Sequence, residues 1–173
     1  MRSKATHVVK TTRLDIIPLD LELLYLSCVD YGKVQSALDA NVTRQTHDPE
    51  IVYALKEAHY RASGDLKNIH WYTNWEMFDR QLHIIVGSVC FKGPPDETGS
   101  VEIGYEVYGA YENLGYASEA TNALVRWALD FGTVHKIVAS VEPDNAPSKR
   151  VLTKLGMKLY DRSEGLEWWG MDK

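Results

Sequence analysis

The chain has 173 residues, 45% hydrophobic and 25% charged, as is typical of one globular domain with a sizeable core. Its net charge is -5 and its Lys and Arg residues form no cluster, which argues against a general nucleic-acid-binding protein. Charges interrupt every apolar stretch and the N-terminal MRSKATHVVK lacks the apolar centre of a secretory signal, so we expect a cytoplasmic protein without a membrane span.

The first part of the chain predicts one strand followed by helices. A break is expected at Tyr31-Gly32, and the last of these helices has Asp48 as its cap and Pro49 in its first turn. Cys28 lies in this part and Cys90 in the next; both are predicted to be buried free thiols, with one disulfide as the alternative. The predicted ranges are a strand over 8–17, one or two helices within 19–40, and a helix over 49–61.

The middle of the chain predicts three strands rich in aromatic and β-branched residues. The first two are joined near Asp79-Arg80, and the third, VEIGYEVY, alternates so that Glu102 and Glu106 share its more polar face. The predicted strands cover 71–78, 82–92 and 101–108.

The last part predicts helices alternating with strands. Gly132 and Gly156 end the two helices, and Glu164-Gly165 forms the turn of a final hairpin. Trp168 and Trp169 alternate across its second strand, so one indole is expected in the core and the other exposed or at an interface. The ranges are a helix over 115–131, a strand buried on both faces over 135–141, a helix over 145–155, and strands over 157–161 and 167–171. Together the elements predict a single mixed α/β domain, residues 1–173, with one central sheet.

The stretch YENLGYASEA places Gly115 between a strand and an amphipathic helix. Unpaired backbone N–H groups and the helix dipole make a helix start suitable for a phosphate or pyrophosphate. The alternative is that Gly115 is only a turn residue. The six histidines have no metal-ligand spacing, so no metal site is predicted, and His47 and Asp48 are interpreted as a loop and a helix cap.

Four segments in a fixed order carry a resemblance to a known family: Glu102-Ile103-Gly104-Tyr105, Glu112-Asn113-Leu114-Gly115-Tyr116-Ala117, Asn145-Ala146-Pro147-Ser148 and Leu155-Gly156-Met157. They resemble the GNAT family of acyl-CoA-dependent N-acyltransferases, and more closely its subgroup that acetylates ribosomal-protein N-termini and diverse amines. The resemblance implies a mostly antiparallel mixed sheet of about seven strands flanked by helices, splayed between the 101–108 and 135–141 strands. It also implies acetyl transfer from acetyl-CoA to a primary amine by direct attack in a ternary complex.

The resemblance implies which residues hold coenzyme A. The amides of the Gly115 turn would bind the pyrophosphate, and the pantetheine arm would follow the 101–108 strand. Glu112 departs from the Gln or Arg of the family, and a carboxylate beside a pyrophosphate weakens binding. The implied cofactor-binding residues are Val107, Glu112, Asn113, Leu114, Gly115, Tyr116, Ala117, Asn145, Ser148 and Arg150.

The resemblance also implies catalytic roles. Glu102 is the candidate general base, or alternatively a solvated carboxylate, and Ser148 is the candidate acid towards the thiolate, or alternatively a serine bonded to its own helix. Other candidate acids are Tyr108, Tyr111 and Tyr116. Asn145 is expected to cap its helix as well. The candidate substrate-binding residues are Glu106, Tyr31 and Tyr72.

Two other functions stay open at this point. One is a non-catalytic CoA-binding sensor or interaction module, which Glu112 favours. The other is a nucleotide-binding protein, although the chain has neither a P-loop nor a full G-x-G-x-x-G run. The expected partners are acetyl-CoA and a small-molecule or peptide amine, and the resemblance allows a homodimer.

Overall fold

The computed structural model describes residues 7–173; the expectations for residues 1–6, the start of the domain and the lack of a secretory signal, lie outside this range. Eight strands form one sheet in the described residues. They are β1 (Val9–Lys10), β2 (Leu14–Pro18), β3 (Asn74–Asp79), β4 (Ile84–Phe91), β5 (Ser100–Val107), β6 (Lys136–Val141), β7 (Lys158–Ser163) and β8 (Leu166–Asp172).

The strand order is β1-β2-β3-β4-β5-β6-β8-β7. Within the described chain, β5 and β6 are the parallel pair, and every other neighbouring pair is antiparallel. The predicted mixed, mostly antiparallel sheet is therefore confirmed, with one strand more than expected.

Helices cover both faces of the sheet. They are α1 (Leu21–Val29), α2 (Tyr31–Ala37), α3 (Pro49–Gly64), α4 (Tyr116–Leu129) and α5 (Ala146–Lys154), with 3₁₀ turns at Leu66–Trp71 and Gly109–Tyr111. Helices α4 and α5 pack against a core that includes Met77 and Val86. Helices α1 to α3 pack against a second core that includes Phe78 and Ile85. Because neighbouring residues of a strand point to opposite faces, the two cores lie on opposite sides of the sheet.

Three sequence predictions of local structure were wrong in detail. The strand predicted over 8–17 is two strands, because the N–H and hydroxyl of Thr11 both bond to Leu14 and make a turn. The strand predicted from residue 71 begins at Asn74, because Leu66–Trp71 forms a 3₁₀ helix. Strand β6 is buried on alternate residues only, since one of its faces is partly open.

Other local predictions are confirmed. Helices α1 and α2 are separate, with the break at Asp30, one residue before the predicted Tyr31-Gly32. Asp48 is the N-cap residue of α3, although its side chain makes no capping bond. The final hairpin turns at Glu164-Gly165. Cys28 and Cys90 are free thiols, though only partly buried, and burial raises the pKa of Cys90 to about 11.

Strands β5 and β6 pair over only a short length. Ser100 to Glu102 pair with Lys136 to Val138, and beyond this point the strands are no longer paired. The sheet therefore splays at the carboxyl ends of these strands, as predicted. The first turns of α4 and α5 flank the opening.

Candidate functional site

The opening between the two strands is a cavity of about 420 Å³, which we call the β5–β6 cleft. The end of β5, the turn after it, and the first turns of α4 and α5 line it. Nearly all of the predicted cofactor-binding residues contribute to this lining. The exception is Leu114, which is exposed and contributes its carbonyl to another contact. The cleft thus brings together residues that lie on separate elements of the chain.

The turn before α4 has an unusual backbone conformation. Asn113 has a φ of 60° and Gly115 a φ of 84°, and Gly115 is the residue before the first helical position. A side chain in this left-handed region costs about 1 kcal/mol, so glycine suits the position. Helix α4 begins at Tyr116, and the N–H groups of its first turn have no helical acceptor. Such N–H groups at the rim of the cleft are suited to bind an anion.

Arg13 and Glu119 support this turn, and sequence reasoning missed both. Arg13 donates from Nη1 to the carbonyl oxygen of Leu114 at 3.0 Å and from Nε to Glu119 at 2.7 Å. Glu119 also accepts hydrogen bonds from the Thr11 hydroxyl and the Arg13 backbone. Burial acts to raise the pKa of Glu119, but these hydrogen bonds outweigh it and lower the pKa below its usual value. The turn between β1 and β2 thereby holds the start of α4 in place.

Tyr105 and Ser148 meet across the cleft. Their hydroxyl oxygens are 2.7 Å apart, and the Tyr105 hydroxyl also lies 3.1 Å from the Ser148 carbonyl oxygen. Burial raises the pKa of Tyr105, partly offset by the bond to Ser148, so the phenol keeps its proton near neutral pH. Asn145 accepts from the Ser148 backbone N–H at 3.0 Å and is the predicted N-cap of α5. Tyr105 was not predicted to take part, although it belongs to the EIGY segment.

The charged residues of the cleft lie on different elements. Arg150 and Lys154 line it from α5, and Glu112 lines it from the turn before α4. Lys149 is engaged elsewhere, with the Pro143 carbonyl and with Glu167. The α5 side of the cleft is therefore cationic, while Glu112 adds one negative charge to the side of the α4 turn.

The two glutamates of β5 have different surroundings. Glu102 forms an ion pair with Lys92 at 2.8 Å and accepts from Ser140 at 2.8 Å, and it lines a separate cavity. Glu106 lines the β5–β6 cleft together with Ser148. Burial, and then the charge of Asp48, raise the pKa of Glu106. Glu106 and Ser148 therefore line the same cavity, whereas Glu102 lines a different one.

Tyr31 and Tyr108 belong to a buried polar group that we call the tyrosine–glutamate cluster, consisting of Tyr31, Tyr108, Glu76 and His47. The Tyr108 hydroxyl donates to that of Tyr31 at 2.8 Å, and Tyr31 donates to Glu76 at 2.6 Å. Tyr72 is outside this cluster and lies under the guanidinium group of Arg61.

The three tyrosines that were alternative acids have different positions. The Tyr116 hydroxyl donates to Asp79 at 2.8 Å, and the Tyr108 hydroxyl donates to Tyr31, so both hydroxyls are engaged elsewhere, although Tyr116 itself lines the cleft. Tyr111 does line the cleft.

Trp168 and Trp169 are both partly buried. Trp168 lines the cavity of Glu102, and Trp169 packs against the core, as expected for one of the two indoles.

Two further observations concern other kinds of site. In the described residues, no three His, Cys, Asp or Glu side chains come together in a way that would hold a metal ion. Across residues 7–173, no helix has the length and apolar character needed to cross a membrane.

Residues 20–158 match the Acetyltransferase (GNAT) domain family. The chain is 28% identical over 173 residues to the uncharacterized N-acetyltransferase YjdG of Bacillus subtilis (strain 168), covering 89% of this chain and 97% of that protein. Among solved structures, it is similar to a putative ribosomal-protein-serine acetyltransferase from Vibrio cholerae (TM-score 0.68, 16% identity, 100% of both chains). It is also similar to RimL, a ribosomal L7/L12 alpha-N-protein acetyltransferase in complex with coenzyme A (TM-score 0.67, 16% identity, 96% of this chain and 98% of that one).

Proposed function

The chain belongs to the GNAT acetyltransferase family, and we propose that it transfers the acetyl group of acetyl-CoA to a primary amine by direct attack in a ternary complex. The observation that carries the proposal is the β5–β6 cleft, into which a left-handed glycine turn, a free helix start and the Tyr105–Ser148 pair converge. In this proposal the backbone amides at the start of α4 bind the pyrophosphate. Arg150 and Lys154 pair with other phosphate groups of the coenzyme, and the pantetheine arm follows β5 at Val107.

Glu106 is the general base of this proposal, in preference to Glu102. It shares the cleft with Ser148, and its raised pKa brings the carboxylate closer to the pKa suited to proton transfer near neutral pH. Glu102 is held by Lys92 in a different cavity, which favours a structural role. The amine nitrogen attacks the thioester carbon, the C–S bond breaks, and the proton lost by the amine goes to Glu106.

The Tyr105–Ser148 pair is the candidate for stabilising or protonating the leaving thiolate. The Ser148 hydroxyl donates a hydrogen bond or a proton to the sulfur, and Tyr105 supplies a proton to Ser148 through their 2.7 Å contact. A hydroxyl alone is a weak acid, so a second proton donor behind it makes this role more favourable.

The first experiment is a thermal melt with acetyl-CoA, ATP and NAD. A ligand at 100 times its Kd adds about 2.7 kcal/mol, which for this size of protein raises Tm by roughly 5–10 °C. We expect this shift with acetyl-CoA and none with ATP or NAD. No shift at millimolar acetyl-CoA would refute the proposed cofactor site.

The second experiment measures thiol release with a panel of amines. Glu106→Gln is expected to lower kcat at least a hundredfold, and Glu102→Gln less than fivefold. The reverse order would make Glu102 the base. Binding of acetyl-CoA without turnover of any amine would instead favour a CoA-binding sensor.

A further inference from the structure

Three acidic side chains lie near one another at the β5–β6 cleft: Glu106, which lines it, Glu76 and Asp48. Glu76 pairs in register with Ser88, and Ser88 with Glu106, so the two glutamates lie on one face of three adjacent strands. Two strand spacings place their Cα atoms about 10 Å apart. Asp48 is close enough for its charge to raise the pKa of Glu106. Within residues 7–173, no Lys or Arg forms an ion pair with Glu76, Glu106 or Asp48.

Glu76 is the most deeply buried member of this group. Its side chain is 0% exposed, one oxygen accepts from Tyr31, and the other oxygen, Oε1, has no hydrogen-bond partner. Burial, opposed by the Tyr31 bond and reinforced by the charge of Glu106, raises the pKa of Glu76 to about 7. A buried carboxylate without a cation is costly to keep, and a ligand that brings a cation removes the cost.

Three aromatic side chains lie next to this carboxylate, and Tyr31 bonds to it directly. Tyr31 and Tyr108 lie nearly perpendicular, with ring centroids 6.2 Å apart. The ring of His47 lies 4.6 Å from Tyr31 and covers the cluster, and neither of its buried nitrogens has a hydrogen-bond partner. His47 belongs to the segment between α2 and α3, which has no regular secondary structure. A carboxylate beside tyrosine hydroxyl groups favours an ammonium group, and the His47 ring would have to withdraw to admit one.

We propose that the tyrosine–glutamate cluster is a subsite for a second cationic group of the acceptor, which makes the acceptor a diamine or polyamine. This inference rests on the proposed function, because the amine to be acetylated lies at Glu106. The second ammonium group donates to Oε1 of Glu76, next to the Tyr31 and Tyr108 hydroxyl groups. A chain of a few methylene groups joins the two nitrogens.

The test compares diamines with monoamines of equal chain length, from three to six methylene groups, as acceptors and as ligands in thermal melts with CoA present. In the wild-type protein, the best diamine is expected to exceed its matched monoamine at least tenfold in kcat/KM, equivalent to about 1.4 kcal/mol. In Glu76→Gln this ratio is expected to fall below threefold. Glu57→Gln, on the exposed surface of α3, removes the same charge far from the cluster and is expected to keep the ratio.

The outcomes separate this inference from the proposed function. Equal use of diamines and monoamines by the wild-type protein overturns the subsite while leaving acetyl transfer intact, and this holds even if Glu76→Gln does not fold. An undiminished ratio in a folded Glu76→Gln variant also overturns it. A diamine-specific rise in Tm that Glu76→Gln abolishes, without any turnover, supports the subsite and contradicts the acetyltransferase. If diamines neither raise Tm more than monoamines do nor are acetylated, the subsite is overturned.

Discussion

Replacement of Gly115 by alanine tests the anion site at the start of α4. A Cβ built on Gly115 would lie 3.5 Å from Nη2 of Arg13, an ordinary contact, so there is room for the methyl group. The strain comes from the φ of +84°, and it costs about 1 kcal/mol, or about 2–4 °C in Tm. If the turn relaxes to relieve the strain, one backbone hydrogen bond to a charged phosphate is lost, which lowers the binding free energy by roughly 1.5–3 kcal/mol.

Gly165 provides the matched control for this change. Its φ is +77°, and a methyl group added there would have no atom within 4 Å outside its immediate neighbours, so Gly165→Ala carries the same strain in the last hairpin. We expect both variants to lose similar stability in a thermal melt. In calorimetric titrations, only Gly115→Ala should raise the Kd for acetyl-CoA at least tenfold. Equal affinity in both variants would refute the role of the turn in phosphate binding.

Three other predictions concern the cleft and its support. Glu112→Gln should tighten acetyl-CoA about fivefold in the same titrations, since a solvated charge pair at 4 Å is worth about 1 kcal/mol; unchanged affinity would mean that Glu112 does not face the phosphates. Tyr105→Phe should lower kcat at least tenfold while KM for acetyl-CoA changes less than threefold, if the phenol acts through Ser148; unchanged kcat in steady-state assays argues against it. Glu119 has a lowered pKa in the folded protein, so its stabilisation is present above the usual carboxyl pKa and lost as the pH falls through the folded value. The Tm difference between wild type and Glu119→Gln should therefore shrink below about pH 4, and a difference independent of pH would contradict the Arg13 pairing.

The local features of the site were accessible from sequence. Gly115 before an amphipathic helix and Asn145 three residues before Ser148 are signals within a few residues, because helix starts depend on nearby backbone and cap groups. The order of these segments along the chain matched that of a known family, and this match linked them to one site. The cleft confirms that they converge, since a splayed parallel pair brings the ends of both strand–helix units together.

The partners of these residues were not accessible from sequence. Arg13 lies about a hundred residues before the turn that it holds, and Tyr31 lies 45 residues before Glu76 and 77 before Tyr108. Each carries an ordinary local signal for its own strand or helix. Their contacts depend on the strand order of the sheet, which no short stretch of sequence reports.

The positions of the two β5 glutamates illustrate what sequence could and could not predict. Alternation along VEIGYEVY correctly put Glu102 and Glu106 on one face, because side chains of a strand alternate regardless of what surrounds it. Which of them lines the cleft depends on the residue at which β5 and β6 cease to pair, and on whether a cation such as Lys92 is beside it. The sequence alone determined most of the elements, their boundaries to within a few residues, and the glycine turn at the start of α4. Only the tertiary structure decided which charges are paired, because burial and ion pairing are set by residues that are distant along the chain.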